Sequence, residues 1–124
     1  MFDHVEFTVS DISAAYAFYA PIFTAIGAEV AFFDVGAGEL GIEMGGVTAF
    51  LITEGKATKP HLHICFKATG KKVVETAYQG AITGGGRCNG GPGYRDHYEP
   101  GYYAAYVFDP DGHNIEILFR EPQC

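Results

Sequence analysis

The chain has 124 residues with 15 acidic and 8 basic side chains, and its formal net charge of −7 excludes the basic footprint that a nucleic-acid or anionic-membrane partner needs. Hydrophobic residues make up 48% and charged residues 19%, the balance of a globular protein able to bury a core without disulfide staples. Cys65, Cys88 and Cys124 lack metal-type spacing, the start MFDHVEFTVSD is unlike a signal peptide, and no apolar run reaches about 18 residues, so a cytoplasmic protein with free thiols is expected.

Residues 2–9 alternate, with Val5, Phe7 and Val9 on one face and His4, Glu6 and Thr8 on the other, which predicts a half-buried strand. Ser10 or Asp11 is placed to cap the apolar helix predicted over 12–26. Pro21 inside it predicts a kink, or an end to its first part near Ala20, and Gly27 suits its stop. Short strands follow at about 29–34, 38–44 and 47–53, then a polar linker, EGKATKP, over 54–60. The same order returns as a strand over 61–68, a helix over 70–83, a stop at Gly84-Gly85-Gly86 and a short strand near 87–89. A Gly-rich loop from Gly90 to about 101 leads to strands over 102–108 and 113–120. These are joined by Asp109-Pro110-Asp111-Gly112, with Pro and Gly where a type I turn favours them.

The two halves match each other. Shifted by 59 positions, His4–Val9 lies on His63–Ala68, Tyr19 on Tyr78 and Gly27 on Gly86. The ends match at an offset of 66, which lays Gly46–Phe50 on Gly112–Glu116. The expected architecture is α+β: two βαβββ modules, at about 1–54 and 61–124, in a single domain whose curved mixed sheets form a cup.

Strand period then selects the residues that look into the cup. Leu62, Ile64 and Phe66 are assigned to the helix side, leaving His61, His63, Cys65 and Lys67 opposite; Ile115, Ile117 and Phe119 likewise leave Asn114 and Glu116. In the strand over 47–53, Ala49 and Leu51 are assigned to the helices, and Thr48, Phe50 and Ile52 to the cup. The repeat makes His4 equivalent to His63 and Phe50 to Glu116. His4, His63 and Glu116 are therefore expected to meet as ligands of a divalent metal: Zn, Ni, Fe, Co or Mn. His61 shares the parity of His63 and competes for its place.

The strand His4–Val9, the helix carrying Phe18-Tyr19, the strand His63–Phe66 and the run Asp109-Pro110-Asp111-Gly112-His113-Asn114-Ile115-Glu116 resemble the vicinal oxygen chelate superfamily. That superfamily includes glyoxalase I, extradiol dioxygenases, fosfomycin-resistance transferases and bleomycin-resistance proteins. The resemblance covers the whole chain and implies paired βαβββ modules around a divalent metal, closed within one chain or across a swapped dimer. Its metal positions fall on His4, Phe50, His63 and Glu116. Phe50 departs from the pattern, since glyoxalase I has a carboxylate there, and this argues against ordinary glyoxalase I activity.

The resemblance implies a metal-dependent lyase, isomerase or dioxygenase acting on a small substrate with vicinal oxygens; the alternative is a non-catalytic drug-binding protein of the bleomycin-resistance type. Glu116 serves metal and catalysis in the first reading, with Glu6, two residues beyond His4 on the same face, as candidate general base. Arg95 in the Gly-rich loop is a candidate clamp for a substrate carboxylate, with Phe50, Tyr98 and Tyr102 as further substrate contacts. Exposed edge strands favour a homodimer.

Overall fold

The computed structural model describes residues 1–124. The first module runs β1 (Val5–Val9), α1 (Ile12–Ala25), β2 (Glu29–Asp34), β3 (Glu39–Met44) and β4 (Val47–Glu54). The second runs β5 (His63–Lys67), α2 (Lys71–Thr83), β6 (Arg87–Cys88), β7 (Gly93–Tyr94), β8 (Tyr102–Phe108) and β9 (Asn114–Arg120). The two sheets have the same plan. One is ordered β1-β4-β3-β2 and the other β5-β9-β8-β6, with β7 added beside β8. In each, the first strand pairs in parallel with the last, β1 with β4 and β5 with β9, and the remaining pairings are antiparallel.

Both helices lie against one shared core. Phe7, Tyr19, Phe23, Phe50 and Ile52 of the first module and Val74, Ala77, Val107, Ile115 and Ile117 of the second belong to a single cluster of buried residues. Neither helix is long and apolar enough to cross a membrane. Asp11 caps α1, its carboxylate accepting from the Ser13 and Ala14 amides at 3.0 Å. Ser10 instead turns to the second module, where its amide and hydroxyl both donate to the Asp111 carboxylate.

Helix α1 runs unbroken through Pro21, so the expected end near Ala20 is not realised. Proline removes the N–H that would bond the Ala17 carbonyl. That carbonyl lies against Gly84, where an added Cβ would stand 2.0 Å from its oxygen, and the Pro21 ring lies against Gly80 of α2, where an added Cβ would stand 2.6 Å from it. The proline and two glycines thus form the near approach of the two helices, and packing holds a helix that local propensity would interrupt.

The strand pairing also revises the repeat. Glu6 of β1 sits opposite Leu51 of β4, and Cys65 of β5 opposite Glu116 of β9. Because Glu6 and Cys65 are repeat-equivalent, the counterpart of Glu116 is Leu51, and Phe50 corresponds to Ile115. The match of the module ends is therefore slipped by one residue, and a one-residue slip exchanges the faces of a strand. Phe50 and Ile52 are buried in the core, beside Phe7, Phe23 and Phe66. The assignment of Phe50 to the cup is corrected: it points at the helices.

Candidate functional site

The open face of the second sheet carries the richest grouping of polar side chains. Neighbouring strands bring Cys65, Glu116 and Tyr106 into one row across β5, β9 and β8. His63 and Asn114 lie in the next row, and Tyr102 four residues before Tyr106 on the same face. The face is built by alternation: Ile115 and Ile117 enter the core, which turns Asn114 and Glu116 outward from it.

Glu116 is only 3% exposed, yet it is fully engaged. One carboxylate oxygen lies 2.9 Å from His63 Nε2, and the other accepts a short hydrogen bond from the Tyr102 hydroxyl. The His63 ring remains half exposed, so the pair joins a buried carboxylate to a solvent-facing imidazole. Burial, reinforced by the Glu116 carboxylate, pushes the Tyr102 phenol up to about 12 and the Cys65 thiol up to about 12. Tyr106 is raised further for the same two reasons. Near neutral pH all three are protonated, and the two phenols stand as hydrogen-bond donors around one carboxylate.

The loop after β6 borders one side of this face, leaving an open cavity of about 590 Å³ whose lining includes His63, Glu116, Tyr102, Tyr106, Tyr98 and Arg95. Asn89 and Asn114, joined at 3.1 Å, form another part of the wall. Arg95 donates to the Gly93 and Gly91 carbonyls at 2.8 and 2.9 Å and lies over the Tyr106 ring, 5.4 Å from its centre. Tyr98 packs edge-on against Tyr102.

His63, Glu116, Arg95, Tyr98 and Tyr102 are thus brought together, while His4 and Glu6 stand on the other module. His4 precedes β1, is exposed, and pairs with Asp3 at 2.7 Å. Glu6 lines a separate small cleft of about 170 Å³ with Phe32, Glu39 and Leu51. His61 lies outside β5 with its ring against His113 and Gly112, away from the cavity that His63 lines. His113 is a core residue: fully buried, it accepts from the Leu62 amide through Nδ1 and meets Phe7 edge-on.

The first module's equivalent face is narrower, holding only the cleft that Glu6 lines. Tyr106 faces Glu116 in one sheet, and Gly41 faces Leu51 in the other. The Phe32 ring lies directly over Gly41, where an added Cβ would meet it at 2.3 Å.

His63 and Glu116 are a suitable imidazole–carboxylate pair for a divalent cation. No group of three or more His, Cys, Asp or Glu side chains converges within the chain. A single copy thus brings together two of the three expected ligands, His63 and Glu116.

Sequence reasoning missed Tyr106 and Asn89 as cavity residues. Tyr106 was detectable by folding the strands over 102–108 and 113–120 about the Asp109–Gly112 turn, which sets it opposite Glu116. Asn89 carried no comparable signal, because its position depends on the path of a loop.

A family model described as the Glyoxalase/Bleomycin resistance protein/Dioxygenase superfamily matches residues 1–117. A glyoxalase/bleomycin resistance protein from Albidiferax ferrireducens is 26% identical, with a TM-score of 0.79 over 97% of this chain and 99% of its own. The fosfomycin resistance protein FosX from Listeria monocytogenes, solved as an E126Q mutant with Mn(II) and 1S,2S-dihydroxypropylphosphonic acid, is 22% identical, with a TM-score of 0.68 over 95% of this chain and 88% of its own. A glyoxalase-related enzyme from Fulvimarina pelagi gives 20% identity and a TM-score of 0.72 over 96% and 87%. No curated protein matches the chain.

Proposed function

The chain belongs to the glyoxalase/bleomycin resistance protein/dioxygenase superfamily, and from this premise we propose that it is a metal-dependent enzyme acting on a small molecule with vicinal oxygens. The reaction class is that of a lyase, isomerase or dioxygenase. The observation that carries this reading is the His63–Glu116 pair, one member exposed and the other buried, beside a cavity of about 590 Å³.

The active form is a homodimer. His4 and His63 are repeat-equivalent, and a two-fold that lays the first sheet of one copy against the second sheet of another sets His4 of the second copy opposite His63 and Glu116. The first module has exposed apolar side chains suited to such contact, including Val30 and Phe32 on its edge strand, and Met44 and Val47.

His63, Glu116 and the second copy's His4 would hold the metal, which as a Lewis acid would polarise a substrate oxygen. The chain's own side chains do the rest. Tyr102 fixes the Glu116 carboxylate through its hydroxyl. Tyr98 and Tyr102 wall the substrate. Glu6, on the face that meets the second copy's cavity, is the carboxylate set to accept a substrate proton. The free thiols of Cys65, Cys88 and Cys124 suit the reducing cytoplasm.

Elemental analysis of gently purified protein, with thermal shifts on adding Mn, Fe(II), Co, Ni or Zn, tests the reading. One metal per active site, lost in His63→Ala, supports it. No bound metal and no shift with any of the five would overturn it. One feature favours a second reading, a metal-free small-molecule binder of the bleomycin-resistance type: within one copy, Glu116 is already satisfied by His63 and Tyr102. The same metal measurement separates the two.

A further inference from the structure

Among the residues lining the cavity, Arg95 is the one permanent cation, and it has no anionic partner. The ion pairs of the chain do not include it. Its neighbours in the loop are otherwise engaged: Glu99 pairs with Arg120 at 3.1 Å, and Asp96 accepts from the Gly101 amide. The one acidic residue in the lining, Glu116, has both oxygens taken by His63 and Tyr102.

The guanidinium is nevertheless held in place. The Gly91 and Gly93 carbonyls take two of its five N–H donors. Its plane is supported by the Tyr106 ring. Gly90, at φ +134°, gives it room: a Cβ there would lie 3.0 Å from Nη2 and 3.4 Å from the Tyr106 ring. A long flexible side chain is thereby ordered before any ligand arrives, with the rest of its planar fork unused. Such a preformed, unpaired fork matches a carboxylate in two-point geometry.

Tyr106 also sets the scale. Its ring lies 5.4 Å from the guanidinium carbon and 6.3 Å from the His63 ring, so the cation and the imidazole are no more than about 12 Å apart. A ligand paired at Arg95 reaches the His63–Glu116 end with a spacer of a few bonds.

We propose that Arg95 is a carboxylate subsite and that the substrate is a small carboxylic acid whose carboxylate pairs with Arg95 while its reacting oxygens reach His63 and Glu116. This rests on the reading of the same cavity as the substrate site, but it does not require the metal.

Benzoate and benzamide, alike in shape and different in charge, test it on chelator-treated wild-type protein, followed by calorimetry and by the Arg95 Nε–H resonance in ¹H–¹⁵N spectra. Benzoate is expected to bind saturably and to move that resonance, with benzamide at least about tenfold weaker. Arg95→Met should lose that preference, and Arg95→Lys should recover it only in part. Equal binding of the two probes, an Arg95 resonance indifferent to benzoate, or phenylphosphonate binding more tightly than benzoate would each overturn the proposal. The resonance is read in the unaltered protein, so a misfolded variant does not obscure the answer. Metal uptake without benzoate binding sinks the subsite alone; benzoate binding without metal uptake sinks the metal reading alone.

Discussion

Tyr19 of α1 donates its hydroxyl to the buried carboxylate of Asp109 at 2.6 Å, tying the helix of the first module to the turn that opens β9 in the second. The other Asp109 oxygen accepts from the Asp111 and His113 amides at 2.9 and 2.8 Å. Two local motifs, the Phe-Tyr of the helix and the Asp-Pro-Asp-Gly turn, are therefore halves of one contact, and it fixes where the strand bearing Glu116 begins. Tyr19→Phe leaves one oxygen of a buried carboxylate without its donor. The expected cost is about 1–3 kcal/mol, read from denaturant unfolding. An unchanged midpoint would show that the contact adds nothing.

The same phenol predicts an alkaline limit. Burial, aided by the Asp109 charge, holds Tyr19 well above its ordinary value of 10. Above about pH 10 the unfolded chain releases this proton and the folded one retains it, so the unfolded state binds fewer protons and stability falls as pH rises. Tyr102, pushed up to about 12, acts in the same direction. Thermal midpoints should fall between pH 10 and 12, less steeply in Tyr19→Phe. Parallel profiles for the two proteins would contradict this.

Removing the Tyr102 hydroxyl frees one oxygen of Glu116. For a residue that positions a ligand, Tyr102→Phe is expected to weaken Mn(II) binding about 10–100-fold while leaving the dimer intact. Manganese titration followed by paramagnetic resonance measures it. Full affinity in the variant would remove Tyr102 from that role.

The proposed shared site makes a mixing prediction. His4→Ala and His63→Ala homodimers each lack a ligand in both sites. After subunit exchange at equal amounts, half of the dimers are mixed, and each mixed dimer has one intact site and one lacking both histidines. Metal content should therefore return to about one quarter of wild type. No recovery after verified exchange would place His4 outside the metal site.

The helix contact yields a packing test. A Cβ at Gly84 would meet the Ala17 carbonyl at 2.0 Å, whereas Gly70 has nothing within 4 Å. Gly84→Ala should cost about 1–3 kcal/mol, and Gly70→Ala should be close to neutral. Equal midpoints would mean that the helices separate without penalty.

The element order, apart from the two-residue β7 inside the expected loop, was legible because it follows from local signals. Alternation marked β1, the proline–glycine turn marked the junction of β8 and β9, and the 59-residue shift paired His4 with His63. What escaped was decided between elements. In β4, Val-Thr-Ala-Phe-Leu-Ile-Thr is apolar at both parities, so period two did not choose a face, and the slipped match of the ends chose the wrong one for Phe50. Pro21 read as a break because Gly80, which receives its ring, lies some sixty residues away. Equivalence of His4 and His63 in a repeat stated that they occupy like positions. It did not state that one chain brings them together.

Phe32 on Gly41 bears on how the duplicated modules diverged. A tandem copy begins with two identical faces, and here one face retains a wide opening while an aromatic ring narrows the other to a small cleft. The doubled chain is in this respect a heterodimer in covalent form, with a donor half and an acceptor half. In the proposed two-fold pair each narrowed face would meet an open one, so both openings would receive the same cover. A smaller side chain at position 32 would widen the cleft that Glu6 lines, a change made on the half that holds neither His63 nor Glu116.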